Sequence, residues 1–324
     1  MRKKVIIVRP YGYFGGTLVL DALCKLLREK KVDARLFYIP IVPCEDTDYH
    51  FFWMEWLKDI IRYHIYLLFH FYFRNSSSKR AICYRKRYEK TMKGLKCQLI
   101  PFIKRDNTIV VYPDVVYGNF LNAKNVVRWF MYYYEYSNDS KAYGKDDLFI
   151  CFRDIFNDWK LNPQGLKVTI SYFDKEKYKQ YNFGNREGNC YIIRKGHNRL
   201  DLPVDFDGPI IDYGTDEDEI VRILNNSKYC YDYDTQTFYT IIAAVCGCIP
   251  IIVLEPGKTK ADYLKDATYN TVGIAFGTSR EEIEHAISTR DLLLKRLDYS
   301  DRNEQNINLF IQYTSDRFGK ITKE

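Results

Sequence analysis

The sequence predicts an α/β protein made of two Rossmann-like domains. The chain opens with a strand, a helix and a second strand over 4–38, and glycines fill the first turn. A second alternation, of strand, polar loop, helix and strand, occupies 227–256. Between these halves, 157–165 is rich in turn-forming residues, which places the change of domain between about 155 and 187.

The first half predicts a parallel sheet, because its apolar runs are short and continuous, as in strands buried on both faces. A helix follows the first strand, with apolar residues Leu18, Ala22 and Leu26 at helical spacing. The predicted strands are 4–8, 34–38, 108–112, 147–152 and 167–172, and the predicted helices are 17–28 and 123–133.

The second half repeats this alternation. Thr237 and Ser279 are predicted helix N-caps, because a hydroxyl oxygen can accept a free backbone N–H. The predicted strands are 190–193, 209–211, 229–233, 249–254 and 271–276, and the predicted helices are 216–225, 238–245, 279–296 and 301–318.

Composition indicates a globular protein without a metal centre. The 324 residues are 46% hydrophobic and 28% charged, which suits two folded domains rather than a disordered chain. The nine cysteines include no Cys-x-x-Cys pair, so a reduced, cytoplasmic compartment is the simplest interpretation. Five histidines form no ligand-like cluster. The apolar run after Met1 is too short for a signal peptide.

The segment 49–97 carries the basic excess of the chain. It has eleven Lys and Arg residues against three acidic ones, and its first half is strongly aromatic. Charges interrupt the apolar stretch, so a membrane-spanning helix is not predicted. The segment suits contact with an anionic membrane surface, or its aromatics form the core of the first domain beside a solvated basic helix. Nucleic acid is a weaker alternative and is not expected as a partner.

A polar loop at 234–237 separates the strand 229–233 from the helix 238–245. In α/β sheets, anionic ligands bind where such a loop at the carboxyl end of a strand opens onto a helix N-terminus. The alternative is an ordinary βαβ unit without a ligand.

Three segments resemble the GT-B glycosyltransferases, two-domain enzymes that use nucleotide sugars. The first pairs Tyr233-Asp234-x-x-Thr237 with Cys246-Gly247-Cys248 before a buried strand. The second, 110–128, resembles a Tyr-Pro-acid strand end and a Gly-Asn loop that lead into an Asn-Val-Val-Arg helix. The third, 190–196, resembles a strand that ends in Arg-Lys-Gly. The chain departs from the family at Ile242, where many members carry a Glu that holds donor hydroxyls.

The resemblance implies two Rossmann-like domains that face a cleft. The acceptor-side domain would be 1–165, with 49–97 as an insertion. The donor domain would be 166–300, and a last helix in 301–324 would pack back on the first domain. The donor is a substrate, no cofactor is expected, and the resemblance argues against metal use at Asp232-x-Asp234 or Asp205-x-Asp207.

The predicted donor-binding residues come mainly from the second half. Arg194 and Lys195 would face the donor diphosphate, or form a solvated strand end. Asp234 would bind donor hydroxyls or brace its loop. Hydroxyls of threonine would bind phosphate or cap the helix. The full predicted donor set is Gly16, Arg194, Lys195, His197, Tyr233, Asp234, Thr235 and Thr237.

Two predictions concern the first domain. Asp114 follows a predicted strand and is the best candidate for a catalytic base, although a turn carboxylate is the simpler interpretation. Gly16 belongs to the glycine-rich first turn, where it permits close approach of a ligand to the backbone, or only a tight turn.

The predicted function is therefore glycosyl transfer, hexosyltransferase-like and metal-independent. The donor would be a nucleotide sugar, and the acceptor a cell-surface glycan or its lipid-linked precursor, as in polysaccharide biosynthesis. The protein would be cytoplasmic, with peripheral attachment to the inner face of the plasma membrane as an option. One alternative is a nucleotide-sugar epimerase or hydrolase of the same fold. Another is a non-catalytic module that binds membrane or nucleic acid through 74–97.

Overall fold

Two parallel five-stranded sheets form the fold, which confirms the predicted α/β class with two Rossmann-like halves. The computed structural model describes residues 3–12, 15–76, 78, 81, 101–132, 140–235, 237–264 and 270–321. These residues divide between two compact units, Met1–Tyr172 with Tyr299–Glu324, and Phe173–Asp298.

The first sheet has the strand order β2-β1-β3-β4-β5. Its central strands consist of buried, largely β-branched residues, which is why they lie inside a parallel sheet. Every neighbouring pair is parallel, with Val5 opposite Ala34 and Ile109 on its two sides. The strands are β1 Lys4–Pro10, β2 Ala34–Ile39, β3 Thr108–Pro113, β4 Asn125–Phe130 and β5 Leu148–Cys151.

Helices cover both faces of this sheet. Val5 and Ile7 of β1 pack with α1 (Gly15–Glu29) and with the last helix, α8 (Ser300–Phe318). Ile6 and Val8 point to the opposite face and pack with α2 (Tyr49–Leu68). Because side chains alternate along a strand, one apolar run supplies two separate cores.

Helix α2 has two apolar faces. Phe52 and Trp56 are buried in the core of the first sheet, as one of the two interpretations of this segment required. A second row, at least 38% exposed, follows helical spacing along the other side, and we call it the α2 stripe. It consists of Phe51, Met54, Leu57, Ile61, Ile65 and Leu68. The short helix α3 (His70–Asn75) follows. Within the described part of the chain, no helix combines the length and apolar character that crossing a membrane requires.

The second sheet has the order β10-β9-β8-β6-β7. Its strands are short, and those at its centre are mostly buried. The strands are β6 Asn189–Ile192, β7 Ile210–Ile211, β8 Tyr229–Asp232, β9 Ile249–Ile252 and β10 Ala275–Phe276, and the helices are α4 Glu217–Asn226, α5 Phe238–Val245, α6 Lys260–Leu264 and α7 Arg280–Arg296.

The last helix belongs to the first unit. Ile307 and Phe310 of α8 are fully buried in the core that contains α1. The Asn303 side chain accepts from the backbone N–H of Ser171 at 2.8 Å and donates to the Ser171 carbonyl at 2.8 Å. Asn306 accepts from the backbone N–H of Thr169 at 2.7 Å. The chain segments that leave and re-enter the first unit are thereby joined.

Two predicted elements differ from the structure. The predicted helix 123–133 is wrong, because Asn125–Phe130 forms β4. This run of β-branched and aromatic residues is buried throughout, as in a central strand. The one charged member, Arg128, is also buried, and it forms an ion pair with Asp147 and contacts the Tyr112 ring. The predicted strand 167–172 is limited to one bridge, between Cys151 and Lys167. The other predicted strands and helices are present, with ends shifted by a few residues.

Candidate functional site

The strand order of the second sheet reverses between β6 and β8. The chain moves from β6 outward to β7, then returns to β8 and proceeds through β9 to β10. In open α/β sheets, ligands bind outside the carboxyl ends of the strands at such a reversal. The loops that follow β6 and β8 contain Arg194 to Gly196 and Tyr233 to Asp234, so the predicted donor residues of this unit lie at its reversal point.

Asp234 joins these two loops. Its Oδ1 accepts the backbone N–H of Arg194 at 2.7 Å and that of Gly196 at 2.9 Å. Asp234 is 5% exposed, and its buried Oδ2 has no hydrogen-bond partner among the described residues. Of the two predicted roles, the structure shows the bracing of the loop.

Gly196 allows the loops to touch. A Cβ atom added to it would lie 2.2 Å from the carbonyl oxygen of Tyr233, which no side chain tolerates. A glycine is therefore required at this position by the contact itself.

The Arg194 side chain lies between two aromatic rings. Its Cζ is 4.8 Å from the ring centre of Tyr213 and 4.6 Å from that of Tyr239. Tyr239 is held in turn by donating its hydroxyl hydrogen bond to Glu217. The Arg194 Nε is buried without a hydrogen-bond partner among the described residues. Stacking on two rings fixes the direction of a guanidinium. Among the residues that the structure describes, no carboxylate forms an ion pair with Arg194.

Lys195 and His197 lie on the exposed side of the same loop. The loop is a short 3-10 turn, Lys195–Asn198, and His197 Nδ1 is 2.8 Å from the Arg194 carbonyl oxygen. Lys195 therefore supplies an exposed positive charge, while the imidazole contacts the backbone of its own loop.

Helix α5 begins immediately after the β8 loop. Thr237 is its N-cap, as predicted, and its Oγ1 accepts the N–H of Tyr239 at 3.1 Å. Thr240 Oγ1 completes a capping box by accepting the N–H of Thr237 at 2.8 Å. Thr235 has a φ of 71°, which is rare for a β-branched residue, and its hydroxyl contacts the Asp234 carbonyl oxygen at 2.6 Å. The N-terminal end of α5 carries the positive end of the helix dipole.

Asp232, at the end of β8, stabilises the loop of Asp234 and the first turn of α5. It is fully buried, its Oδ1 accepts the N–H of Asp234 at 2.8 Å, and its Oδ2 accepts the Thr240 hydroxyl. Burial raises the pKa of Asp232 to about 6. No group of three or more His, Cys, Asp or Glu side chains suited to a metal ion occurs among the described residues.

Arg199 is a residue of this site that the sequence analysis missed. Its guanidinium donates to the carbonyl oxygens of Val253 at 2.8 Å and Leu254 at 3.1 Å, and to that of Tyr233 at 3.3 Å. Its Nε also donates to Asp201 at 2.9 Å. Arg199 thus joins the carboxyl ends of β8 and β9, and the signal that could have indicated it is an Arg-x-Asp pair just after the Arg-Lys-Gly motif.

The first unit has its own pocket, at the reversal between β1 and β3. The pocket has a volume of about 210 Å³ and follows the carboxyl ends of β1, β3 and β4. Its lining residues are Pro10, Gly16, Thr17, Leu20, Pro113, Asp114, Val115, Met131 and Tyr132.

Asp114 forms part of the pocket wall and is 3% exposed. Its Oδ2 accepts the backbone N–H groups of Met131 at 2.9 Å and Tyr132 at 2.8 Å, and its Oδ1 accepts that of Val115 at 3.0 Å. Burial raises the pKa of Asp114, and the backbone hydrogen bonds oppose that shift. A carboxylate with a raised pKa is a better base than an exposed one.

Arg9, also missed by the sequence analysis, shapes the glycine-rich turn beside this pocket. It is fully buried and donates to the carbonyl oxygens of Pro10 at 2.7 Å and Gly12 at 2.8 Å. Its Nε donates to Asp21 of α1 at 3.0 Å. Gly16 lies in the first turn of α1 and lines the pocket together with Asp114, whereas the other predicted donor residues lie in the second unit.

Comparison with known proteins gives matches to solved structures only at low similarity. No protein-family model and no curated protein matches the chain. An α-glucosyltransferase in complex with UDP and a 13-mer DNA containing a HMU base is 11% identical, covers 98% of this chain and 96% of its own, and has a TM-score of 0.39. The spinosyn forosaminyltransferase SpnP is 9% identical, with coverages of 95% and 100% and a TM-score of 0.37. MurG of Acinetobacter baumannii is 10% identical, with coverages of 96% and 95% and a TM-score of 0.26.

The first two of these structures are named as sugar transferases. With TM-scores below 0.5, the matches by themselves support no conclusion about the reaction. The residues at the two strand reversals are therefore the basis of the proposed function.

Most of the basic run 74–97 lies outside the described residues, including Lys79, Arg80, Arg85, Lys86 and Arg87. The proposed binding module in that run stays a prediction.

Proposed function

We propose that this protein is a glycosyltransferase that moves a sugar from a nucleotide-sugar donor to a glycan or lipid-linked acceptor. The observation that carries the proposal is the Asp234 carboxylate, which fastens the loop of Arg194, Lys195 and Gly196 beside the N-terminus of α5. This arrangement concentrates positive charge at a strand reversal, where a diphosphate leaving group would need it.

The charges match the chemistry of the donor. When the glycosidic bond of a nucleotide sugar breaks, negative charge grows on the diphosphate, and fixed cations or helix N-termini can stabilise it. Lys195 provides an exposed ammonium, and Arg194 provides a guanidinium whose direction is set by Tyr213 and Tyr239. We propose that these groups perform the role without a metal ion and without a cofactor.

We propose the remaining donor contacts because the side chains concerned lie in or beside the same two loops. Asp234 Oδ2, buried and without a partner among the described residues, would accept a donor hydroxyl. Tyr233, Thr235 and His197 border the same loops, and Thr237 contributes through the helix that it caps. Ile242 is fully buried in α5, so the ribose contact of the family would have to come from elsewhere.

Asp114 is proposed as the base that accepts the proton of the acceptor hydroxyl. The support is its place at the strand reversal of the first unit, in the wall of a pocket, with a pKa raised by burial. This role belongs to an inverting reaction, in which the hydroxyl oxygen attacks as its proton is removed.

The exposed apolar face of α2 bears on the acceptor and on the location of the protein. The α2 stripe exposes a row of apolar side chains on one helix, and the sequence continues from there into the basic run 74–97. An apolar helix face that is followed in the sequence by cations suits an anionic lipid surface. This supports a cytoplasmic protein that attaches peripherally to the membrane and takes part in polysaccharide biosynthesis.

The first test is thermal unfolding of the protein with UDP, GDP, ADP, CMP and dTDP. A ligand at about 100 times its dissociation constant stabilises the folded state by about 2.7 kcal/mol, which is measurable. We expect a selective rise with one nucleotide, and loss of that rise in Lys195→Ala. Lys25→Ala, an exposed lysine on α1, is the matched control and should behave like the wild type. No stabilisation by any nucleotide would contradict the donor site.

A further inference from the structure

The pocket of the first unit has apolar walls. Its floor is formed by Pro10, Leu20 and Pro113, all buried, and its mouth by Val115 and Tyr132, which are 49% and 53% exposed. A ligand can therefore enter past Val115 and Tyr132 and rest against aliphatic side chains.

The polar groups of this wall already have partners within the protein. The Thr17 hydroxyl donates to the carbonyl oxygen of Gly12 at 3.1 Å. The Asp114 carboxylate accepts three backbone N–H groups, from Val115, Met131 and Tyr132. A sugar ring enclosed here would bury several hydroxyls with few partners, at a cost of about 1–3 kcal/mol for each unsatisfied group. An apolar group would meet no such cost.

The volume limits the size of the occupant. A dry cavity of about 150 Å³ is enough to bind benzene in a protein core. The pocket of about 210 Å³ is larger by a few carbon atoms. It therefore has room for an aromatic or branched aliphatic group on the order of ten carbons, by comparison with that cavity.

We propose that this pocket binds an apolar part of the acceptor, an aromatic or isoprenoid group that carries the reactive hydroxyl or lies beside it. The inference rests on the proposed function, and it favours an acceptor that carries an apolar group over a purely polar glycan. In the reaction, the hydroxyl oxygen forms a bond to the anomeric carbon, and the bond from that carbon to the diphosphate breaks. The diphosphate leaves with the electron pair, and the hydroxyl proton moves to Asp114.

Binding of small alcohols to the full chain tests the pocket directly. The two probes are 2-naphthol and geraniol, which have ten carbons each and separate aromatic from isoprenoid recognition. Methyl glucoside is the polyhydroxylated comparison. Dissociation constants are measured by ligand-observed NMR, without nucleotide, for the wild type and for two variants at the mouth, Val115→Trp, which fills it, and Val115→Asp, which places a charge there.

The control variant is Ile287→Trp, which adds the same ring on the exposed face of α7, where Ile287 is 55% exposed. We expect at least one of the two ten-carbon alcohols to bind the wild type and Ile287→Trp equally, and at least tenfold more weakly to both Val115 variants. Methyl glucoside should show no binding that depends on Val115.

Three results would overturn the inference. They are absence of binding by both alcohols, binding that the Val115 variants leave unchanged, and Val115-dependent binding of methyl glucoside. Thermal unfolding with the nucleotide panel on the same samples separates this failure from failure of the proposed function. Nucleotide binding without an alcohol site would remove the inference alone. Alcohol binding without nucleotide binding would contradict the proposed glycosyltransferase function and would support only an apolar binding pocket.

Discussion

Asp234 Oδ1 lies 2.7 Å from the backbone nitrogen of Arg194, so a carboxylate after one strand fixes the loop after its neighbour. The hydrogen bond is charge-assisted, and the same oxygen accepts a second N–H, from Gly196. The negatively charged Asp234 thereby orients a loop that carries the positive side chains of Arg194 and Lys195.

Replacing Asp234 should release that loop. Hydrogen bonds to charged groups contribute about 1.5–3 kcal/mol, so Asp234→Ala should lower the free energy of unfolding by roughly 2 kcal/mol and abolish nucleotide stabilisation. Urea denaturation and the nucleotide panel measure the two effects. Asp205→Ala, at an exposed residue, is the control and should change neither. Full nucleotide binding by Asp234→Ala would show that the loop needs no brace.

Gly196 should not tolerate a methyl group. Gly196→Ala places a Cβ 2.2 Å from the Tyr233 carbonyl oxygen, so the two loops must separate, at a cost of about 1–3 kcal/mol. Gly15→Ala adds a methyl group with no atom within 4 Å and serves as the matched control. Comparison of the two midpoints in urea tests this, and equal midpoints would contradict the contact.

The ring of Tyr239 should matter more for nucleotide binding than its hydroxyl. Tyr239→Phe keeps the ring 4.6 Å from Arg194 Cζ and loses the hydrogen bond to Glu217, whereas Tyr239→Ala loses both. Cation–π contacts contribute about 0.5–2 kcal/mol, so Tyr239→Ala should weaken nucleotide binding by roughly 2- to 30-fold. Calorimetric titration distinguishes the variants, and equal losses in both would assign the effect to the hydroxyl.

Asp232 should make the protein less stable as pH rises from about 4 to about 6. Its folded pKa is about 6, against 3.8 as the ordinary value, so the folded state holds a proton that the unfolded state has released. Stability from this proton is present at low pH and is lost as pH passes through the folded pKa, by on the order of 3 kcal/mol in total. The free energy of unfolding of the wild type relative to Asp232→Asn should fall over that range. A constant difference from pH 4 to 7 would show that Asp232 has an ordinary pKa in the folded protein.

Chelation should leave the proposed transfer unchanged. Asp232 accepts from Asp234 N–H and Thr240, and Asp207 accepts from Asn189 and Tyr191, so both spaced aspartate pairs have a member engaged within the protein. Initial rates with EDTA, and after excess Mg²⁺ or Mn²⁺ is restored, provide the measurement. Loss with EDTA and recovery with either ion would contradict a metal-independent reaction.

The sequence predicted the strand-and-helix order well where the pattern is local. Continuous apolar runs identified β1, β3 and β9, and a hydroxyl before an apolar helix identified Thr237 as the cap of α5. β4 was mistaken for a helix, because an Asn-Val-Val-Arg motif was interpreted through a resemblance although its β-branched residues favour a strand.

Residues that act across the fold were harder to predict. Arg9 and Arg199 hold carbonyl oxygens of loops, and those carbonyls carry no signature in the sequence. The joining of two loops by Asp234 depends on the adjacency of β6 and β8, which lie 40 residues apart. The pocket beside Asp114 is formed where three strands end, and its lining residues are far apart in the sequence. The sequence alone therefore did not show that the lining is apolar.

The hydrogen bonds between Asn303 and Ser171 have a consequence for which deletions the protein should tolerate. In the sequence, Phe173–Asp298 is an insertion in the first unit. The chain leaves and re-enters the first unit next to the residues that these hydrogen bonds join. Replacing that insert with a short linker would remove a whole sheet and leave the first core intact. A much smaller deletion, of the last helix alone, would strip Ile307 and Phe310 from that core. Tolerance to truncation in this protein should therefore depend on which core loses residues, and not on how many residues are lost.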